Sequence, residues 1–262
     1  MSTSQYLTDL FGLGGKTAVV IGGTGVLGGA ICSALAGAGA YVVVIGRNSD
    51  QGRIRVEQIE AAGGEAEFHS ADSTSRADLE SIVAALATQQ RQTHILVNGA
   101  GINSATPFLE ISDSEWDSIF EVNLNSVRLA CQVFGSDMID RGTQASIINV
   151  ASLSGMTPLS RVYTYAATKA AVINLSQNLA REWAPNGIRV NSISPGFFPA
   201  EQNRKVLTPE RIESIMQHTP MYRFGHPEEL AGAVLLLASP KAGSFVTGTN
   251  IVVDGGFMGM TI

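Results

Sequence analysis

The chain returns again and again to short, almost unbroken apolar runs, and these alternate with segments of helical character. Thr17-Ala18-Val19-Val20-Ile21, Tyr41-Val42-Val43-Val44-Ile45, His94-Ile95-Leu96-Val97-Asn98 and Ser146-Ile147-Ile148-Asn149-Val150 show no polar–apolar alternation. A strand that is apolar on both faces must be covered on both, as in a parallel sheet flanked by helices. Further strands are expected at Glu65 to Ser70, Arg189 to Ile193 and Asn250 to Val253, making seven. Helices are expected over Val26 to Ala38, Gly52 to Ala62, Ser75 to Gln90, Ser112 to Asp140, Tyr163 to Trp183 and Pro227 to Ala238. The stretch Ser194 to Gly225 reads as loop-rich with one helix. This alternation predicts an α/β fold, a doubly wound and mostly parallel sheet with helices on both faces and right-handed crossovers.

No repeat, low-complexity tract or linker divides the 262 residues, so residues 1–262 are expected to form one domain. The formal net charge of -6 disfavours nucleic acid and anionic membrane as partners. The apolar stretch Leu230 to Ala238 is too short to cross a bilayer, and Met1 to Gly15 lacks the basic start and apolar core of a signal peptide. Cys32 and Cys131 sit in apolar surroundings without CxxC or metal-ligand spacing. They are expected to be buried, reduced thiols of a cytoplasmic protein, and no metal site is expected.

The first strand runs into Gly22-Gly23-Thr24-Gly25-Val26-Leu27-Gly28, in which Gly23, Gly25 and Gly28 fit G-x-G-x-x-G. Such a turn lets the backbone approach a pyrophosphate while the following helix offers free N–H groups and a partial positive charge. Its place between a strand and a helix, opening a βαβ unit, is the context that dinucleotide binding by a Rossmann fold requires. An NAD site commonly ends its second strand in Asp or Glu, which binds the ribose 2′-hydroxyl. Here Gly46, Arg47 and Asn48 follow instead, with no carboxylate to repel a 2′-phosphate and an arginine to clamp it, so NADP(H) is favoured over NAD(H).

Tyr165 and Lys169 stand one turn apart on an expected helix and share a face. A tyrosine of ordinary pKa is a poor acid–base catalyst at neutral pH. A neighbouring ammonium, together with a cationic nicotinamide, is expected to lower it. Ser152 lies just beyond the fifth strand, at the carboxyl edge where ligands bind in open α/β sheets. Asn98-Gly99-Ala100-Gly101 ends the fourth strand in small residues that admit a ring, and Asn123 occupies a helix interior, a poor place for asparagine.

These elements, with Asp72 after the third strand and Pro195-Gly196 after the sixth, resemble the short-chain dehydrogenase/reductases in order and spacing over nearly the whole chain. The resemblance implies a catalytic tetrad. Tyr165 would be the general acid in reduction, and Lys169 would bind the nicotinamide ribose and depress the tyrosine pKa. Ser152 would polarise the substrate carbonyl, and Asn123 would hold a relay water. Gly22 to Gly28, Arg47, Asn48, Asp72, Ser73, Asn98, Gly99, Ala100, Pro195, Gly196 and Phe198 would meet the cofactor. Tyr163 is a decoy, because its i+4 residue is Ala167. The chain departs from the family where Val26 replaces a glycine, and where Phe197-Phe198-Pro199-Ala200 lacks the threonine that meets the carboxamide.

Gly25 to Gly29, Pro195 to Phe198, Glu201 to Arg204 and His218 to Met221 resemble sugar-acid oxidoreductases of the fructuronate reductase (mannonate oxidoreductase) and gluconate 5-dehydrogenase type. That implies hydride exchange at a keto group of a hexonate, with the segment from about residue 195 to 225 binding substrate. Ser152 and Phe197 are candidate substrate contacts, and Arg204, Lys205 and Arg161 candidate carboxylate partners. The alternatives are a 3-oxoacyl-thioester reductase and a cofactor-binding regulatory protein without turnover. The family resemblance also implies a homotetramer, or a homodimer, through the helices after strands four and five. The tail Gly255 to Ile262 is a candidate to reach a neighbouring subunit.

Overall fold

The computed structural model describes residues 2–198 and 208–260. Seven parallel strands form one sheet, β1 (Thr17–Ile21), β2 (Tyr41–Gly46), β3 (Glu65–Ser70), β4 (Thr93–Asn98), β5 (Ala145–Val150), β6 (Ile188–Pro195) and β7 (Asn250–Val253). Their order is β3-β2-β1-β4-β5-β6-β7. The chain therefore winds outward from β1 in one direction and then, from β4 on, in the other. The crevice opens where these directions part, at the carboxyl ends of β1 and β4.

The continuous apolar runs are explained by two cores. Val19, Ile21, Val43, Ile45, Leu96 and Ile147 point into one layer, packed with Leu79, Ile82, Phe134, Met138 and Val172. Ala18, Val20, Val42, Val44, Val97 and Ile148 point into the other, against Ile31, Leu35, Ile59, Val234 and Leu237. Neighbouring residues of one strand thus bury on opposite faces, as a sheet covered on both sides demands.

The covering helices are α1 (Thr3–Phe11), α2 (Val26–Gly37), α3 (Ser49–Ala61), α4 (Arg76–Thr88), α5 (Asp113–Phe120), α6 (Ser126–Asp140), α7 (Tyr163–Trp183), α8 (Pro209–Gln217) and α9 (Ala231–Ala238). The helix expected over Ser112 to Asp140 starts where foreseen, with Ser112 Oγ accepting the Glu115 amide at 3.2 Å. It is interrupted by a π turn at Glu121–Asn125 that separates α5 from α6. Such a turn inserts a residue into the ladder and rotates the side chains that follow. The stretch Pro227 to Ala238 likewise begins as a 3₁₀ turn, Pro227–Leu230, before α9. α1 had no sequence expectation. It is capped by Ser2, buries no residue fully, and is tied on where Ser239 Oγ donates to Leu10 O at 2.6 Å. Cys32 and Cys131 are free and buried, and burial pushes both thiols up to about 12. Among the described residues no helix is long and apolar enough to cross a membrane, and no group of ligating side chains would hold a metal ion.

A buried polar chain ties the strands beneath the crevice to α7. Asn98 Nδ2 donates to Asn149 Oδ1 at 2.8 Å, Asn149 Nδ2 to Ser176 Oγ at 2.8 Å, and Ser176 Oγ to Val172 O at 2.7 Å. Its members are less than 3% exposed, so each lost partner leaves a desolvated group unpaired. Asn149→Leu keeps the volume and removes both links. It is expected to lower the unfolding free energy by about 2–4 kcal/mol, measured by denaturant titration; unchanged stability would show that the chain carries none of the fold.

Candidate active site

A cavity of about 500 Å³ lies over the carboxyl ends of the central strands. A second, of about 230 Å³, adjoins it beside the end of β2, and both are bordered by Gly22, Gly25, Gly99 and Gly101. Gly22 has φ of +81°, and a Cβ on it would lie 2.7 Å from the carbonyl carbon of Gly99. A Cβ on Gly28 would lie 2.1 Å from Gly22 O. Only glycine lets the turns after β1 and β4 close on each other and on α2. Gly25 is the N-cap residue of α2. The amides of Val26, Leu27 and Gly28 have no partner among the described residues, and all three line the larger cavity. This is the donor set of an anion site at a helix N-terminus. The Val26 substitution leaves those amides in place, because the side chain projects outward, 47% exposed. Gly23 turns the other way: its Cβ would meet Cys32 Sγ and Val44 at 3.0 Å, so it serves the packing of α2 on the sheet.

Thr24, Arg47, Asp72, Ser73 and Ala100 surround the smaller cavity. The Thr74 amide and hydroxyl donate to Asp72 Oδ1 at 2.9 and 2.8 Å and hold its carboxyl below the ordinary range, with the Arg47 guanidinium adding to the effect. A Cβ at Gly46 would sit 2.4 Å from Thr24 Oγ1, so a side chain at position 46 and the present Thr24 exclude each other. Free amides, an arginine and a carboxylate in this order suit the phosphates and ribose of a nicotinamide dinucleotide. Two expected contacts are placed elsewhere. Asn48 caps α3, its Oδ1 accepting the Gln51 amide at 3.0 Å, and borders neither cavity. The Asn98 side chain turns into the core to join Asn149, leaving Gly99 and Ala100 to line the crevice.

Ser152, Tyr165 and Lys169 all border the larger cavity. The Ser154 amide and hydroxyl both donate to Ser152 Oγ, at 3.2 and 3.0 Å. That leaves the Ser152 proton to face the Tyr165 phenol, and this interaction draws the tyrosine pKa down. Burial opposes this and is the larger effect, so Tyr165 is raised in the chain alone; the depression expected from the sequence also draws on the cationic nicotinamide. Lys169 Nζ lies 5.5 Å from the Tyr165 ring centre, donates to Val150 O at 2.8 Å, and is depressed to about 8 by burial alone. Tyr163 is indeed directed away: it is exposed and packs edge-on against Phe108.

Asn123 is fully buried in the π turn. Its Oδ1 accepts the Ile102 amide at 2.8 Å, while Nδ2 donates to Ile102 O at 2.9 Å and Thr168 Oγ1 at 3.2 Å. Both side-chain donors are occupied, so the side chain clamps the loop after β4 to α7. Three residues here had no sequence expectation. Ser154 orients Ser152, Thr168 completes the Asn123 clamp, and Gly155 lets the Ser152 turn press on α7. A Cβ on Gly155 would stand 2.8 Å from backbone atoms of Lys169 and Ala170. A glycine three residues past a site serine was the available signal.

Pro195, Gly196, Phe197 and Phe198 form the far wall. The Phe197 ring rests 5.4 Å from Phe257, which also meets His218, so this part of the tail folds onto its own chain. Arg161 is exposed and does not border the cavity. Arg204, Lys205, Pro199 and Ala200 lie outside the described residues.

A lysine whose pKa is lower folded than unfolded binds fewer protons in the native state, so stability rises with pH between the two values. The cofactor-free protein is therefore expected to gain stability relative to its Lys169→Met variant between about pH 8 and 10.5. Paired thermal melts across that range check this, and parallel pH profiles would refute the buried, desolvated ammonium.

The family described as enoyl-(acyl carrier protein) reductase matches residues 24–258. A galactitol 2-dehydrogenase of Rhizobium johnstonii is 40% identical, covering 94% of this chain and 96% of its own. A gluconate 5-dehydrogenase of Gluconobacter oxydans is 34% identical, with 95% and 96% covered. The crystal structure of a gluconate 5-dehydrogenase from Burkholderia cenocepacia in complex with NADP and tartrate superposes with a TM-score of 0.91 at 31% identity, over 97% of this chain and all of that one. The chain belongs to the short-chain dehydrogenase/reductase family and is an NAD(P)-dependent oxidoreductase acting on CH–OH groups.

Proposed function

We propose that the protein interconverts a ketone and a secondary alcohol on a sugar acid, with NADP(H) as hydride partner and Tyr165 as the proton donor and acceptor. One observation carries the reading: Ser152, oriented by Ser154, and the Tyr165 phenol whose pKa it lowers border one cavity with Lys169 and the glycine turn that opens α2. The nicotinamide, when bound, supplies or accepts the hydride. The chain's own groups handle the proton. Burial keeps Tyr165 protonated at neutral pH, ready to give its proton to the oxygen that gains charge as a carbonyl is reduced. Ser152 has a single proton to give: it faces the phenol in the free protein and passes to that oxygen when substrate binds. Lys169 stands behind them as a positive charge that favours phenolate when the reaction runs toward oxidation.

The NADP preference is supported by the absence of a carboxylate at position 46, the Thr24 side chain that fills its place, and Arg47 beside the cavity. The sugar-acid reading is supported by a relative named for gluconate; one named for galactitol, a neutral polyol, supports a hydroxylated six-carbon chain over a thioester. A panel of keto-hexonates, hexuronates, polyols and an acetoacetyl thioester, run with both cofactors, tests it. A keto-hexonate with NADPH is expected to give the highest kcat/KM. The Tyr165→Phe variant is expected to lose on the order of 10³-fold in kcat while NADPH affinity stays close to wild type. Preference for the thioester or for NADH would overturn the corresponding part, and a fully active Tyr165→Phe would overturn the proton assignment.

A further inference from the structure

We propose that Arg211 is the anchor for a carboxylate on the substrate, with Ser160 holding its guanidinium in position; the assignment rests on the sugar-acid reading above and names the residue that would enforce it. Arg211 borders the same cavity as Ser152, Tyr165 and Lys169. Among the described residues of that wall, these two cations are the only ones, and Lys169 is buried with its ammonium on Val150 O. Arg211 is left as the positive group that a ligand can meet.

Its local setting points the same way. α8 begins at Pro209 behind the Thr208 cap, whose Oγ1 accepts the Arg211 amide at 3.3 Å, so Arg211 stands in the first helical turn. Cations are disfavoured there, because the positive end of the helix dipole adds to their charge. An approaching anion reverses that sign and is attracted by both. Arg53, Arg76, Arg141 and Arg223 each pair with a carboxylate, whereas Arg211 has none among the described residues. Nη1 donates to Ser160 Oγ at 2.8 Å, which fixes the plane of the guanidinium with one of its five N–H groups. The others remain for a planar, two-point contact with a carboxylate. This link also joins α8 to the loop that leads into α7, so the anchor is tied to the helix that carries Tyr165 and Lys169. Leu159 and Val162 border the same cavity and would offer apolar surface to the chain of a substrate held at one end by Arg211.

A bridging role for Arg211, joining α8 to the 156–162 loop and nothing more, makes a different forecast, and three variants separate the two. The readout is the ratio of kcat/KM for a keto-hexonate to that for the matching neutral ketose. Arg211→Leu is expected to lower this ratio about 30-fold, mostly through KM for the acid. Arg211→Lys keeps the charge but loses the fork, and is expected to fall between. Ser160→Ala loosens the guanidinium but leaves its charge, and is expected to lower the ratio by clearly less than Arg211→Leu does. If Ser160→Ala matches Arg211→Leu, or if the ratio is unmoved in Arg211→Leu and Arg211→Lys while the wild type turns over the acid, the anchor is wrong and the sugar-acid reading stands. A wild type active on neutral substrates alone removes the sugar-acid reading and the anchor with it.

Discussion

The site depends on how closely the turn after β5 can approach α7. Gly155 sits so near the helix backbone at Lys169 and Ala170 that a single added carbon would collide with it. That approach brings Ser152 to the Tyr165 phenol and Val150 O to the Lys169 ammonium. From the other side Asn123 holds Thr168 and the Ile102 backbone together, and it reaches them from a π turn. Asn149 and Ser176 fasten the same helix to the sheet below. α7 is thus held on three sides within one stretch, and the two groups that handle the proton and the charge are both on it. Helix placement to this tolerance is what positioned acid–base chemistry requires.

Electrostatics and packing pull against each other at this point. Burial raises the tyrosine and depresses the lysine, which disfavours the charged form of both. The fold tolerates a desolvated ammonium because a backbone carbonyl receives it, and because the helix around it is anchored by neutral hydrogen bonds. The chain carries a net charge of -6, yet its crevice sets the free amides of α2, Arg47 and Arg211 against one carboxylate, Asp72. That asymmetry suits a polyanionic cofactor and an anionic substrate, and it is local, as steering by a charged cleft requires.

Much of this was legible in the sequence. Unbroken apolar strands announced a doubly covered parallel sheet, and the bounds of α7 and β7 fall at Tyr163–Trp183 and Asn250–Val253 as expected. The residues that line the crevice were legible wherever their role is local, as in the turn Gly22 to Gly28 and the i, i+4 pair on α7. Side chains whose direction is set by tertiary contacts were not. Asn98 could face ligand or core, and the partner it finds in Asn149, 51 positions away, decides for the core. Asn48 is drawn to the helix cap because an unpaired amide lies within reach. The π turn around Asn123 has no helical-period signature, since one inserted residue leaves the apolar pattern on either side intact. Arg211 stays hidden because its importance comes from the cavity it borders, which α8 reaches only in the folded chain.

In the proposed mechanism the protein's own groups hold Tyr165 as a buried phenol facing Ser152, and positive charge from the oxidised nicotinamide moves it toward phenolate. The most direct measurement is the ultraviolet titration of that phenol, taken as the difference between wild type and Tyr165→Phe, with and without NADP+. A Tyr165 transition above the ordinary tyrosine range in the free protein, falling when NADP+ is added, is the predicted result. A transition already near neutrality without cofactor, or one that NADP+ does not move, would contradict it.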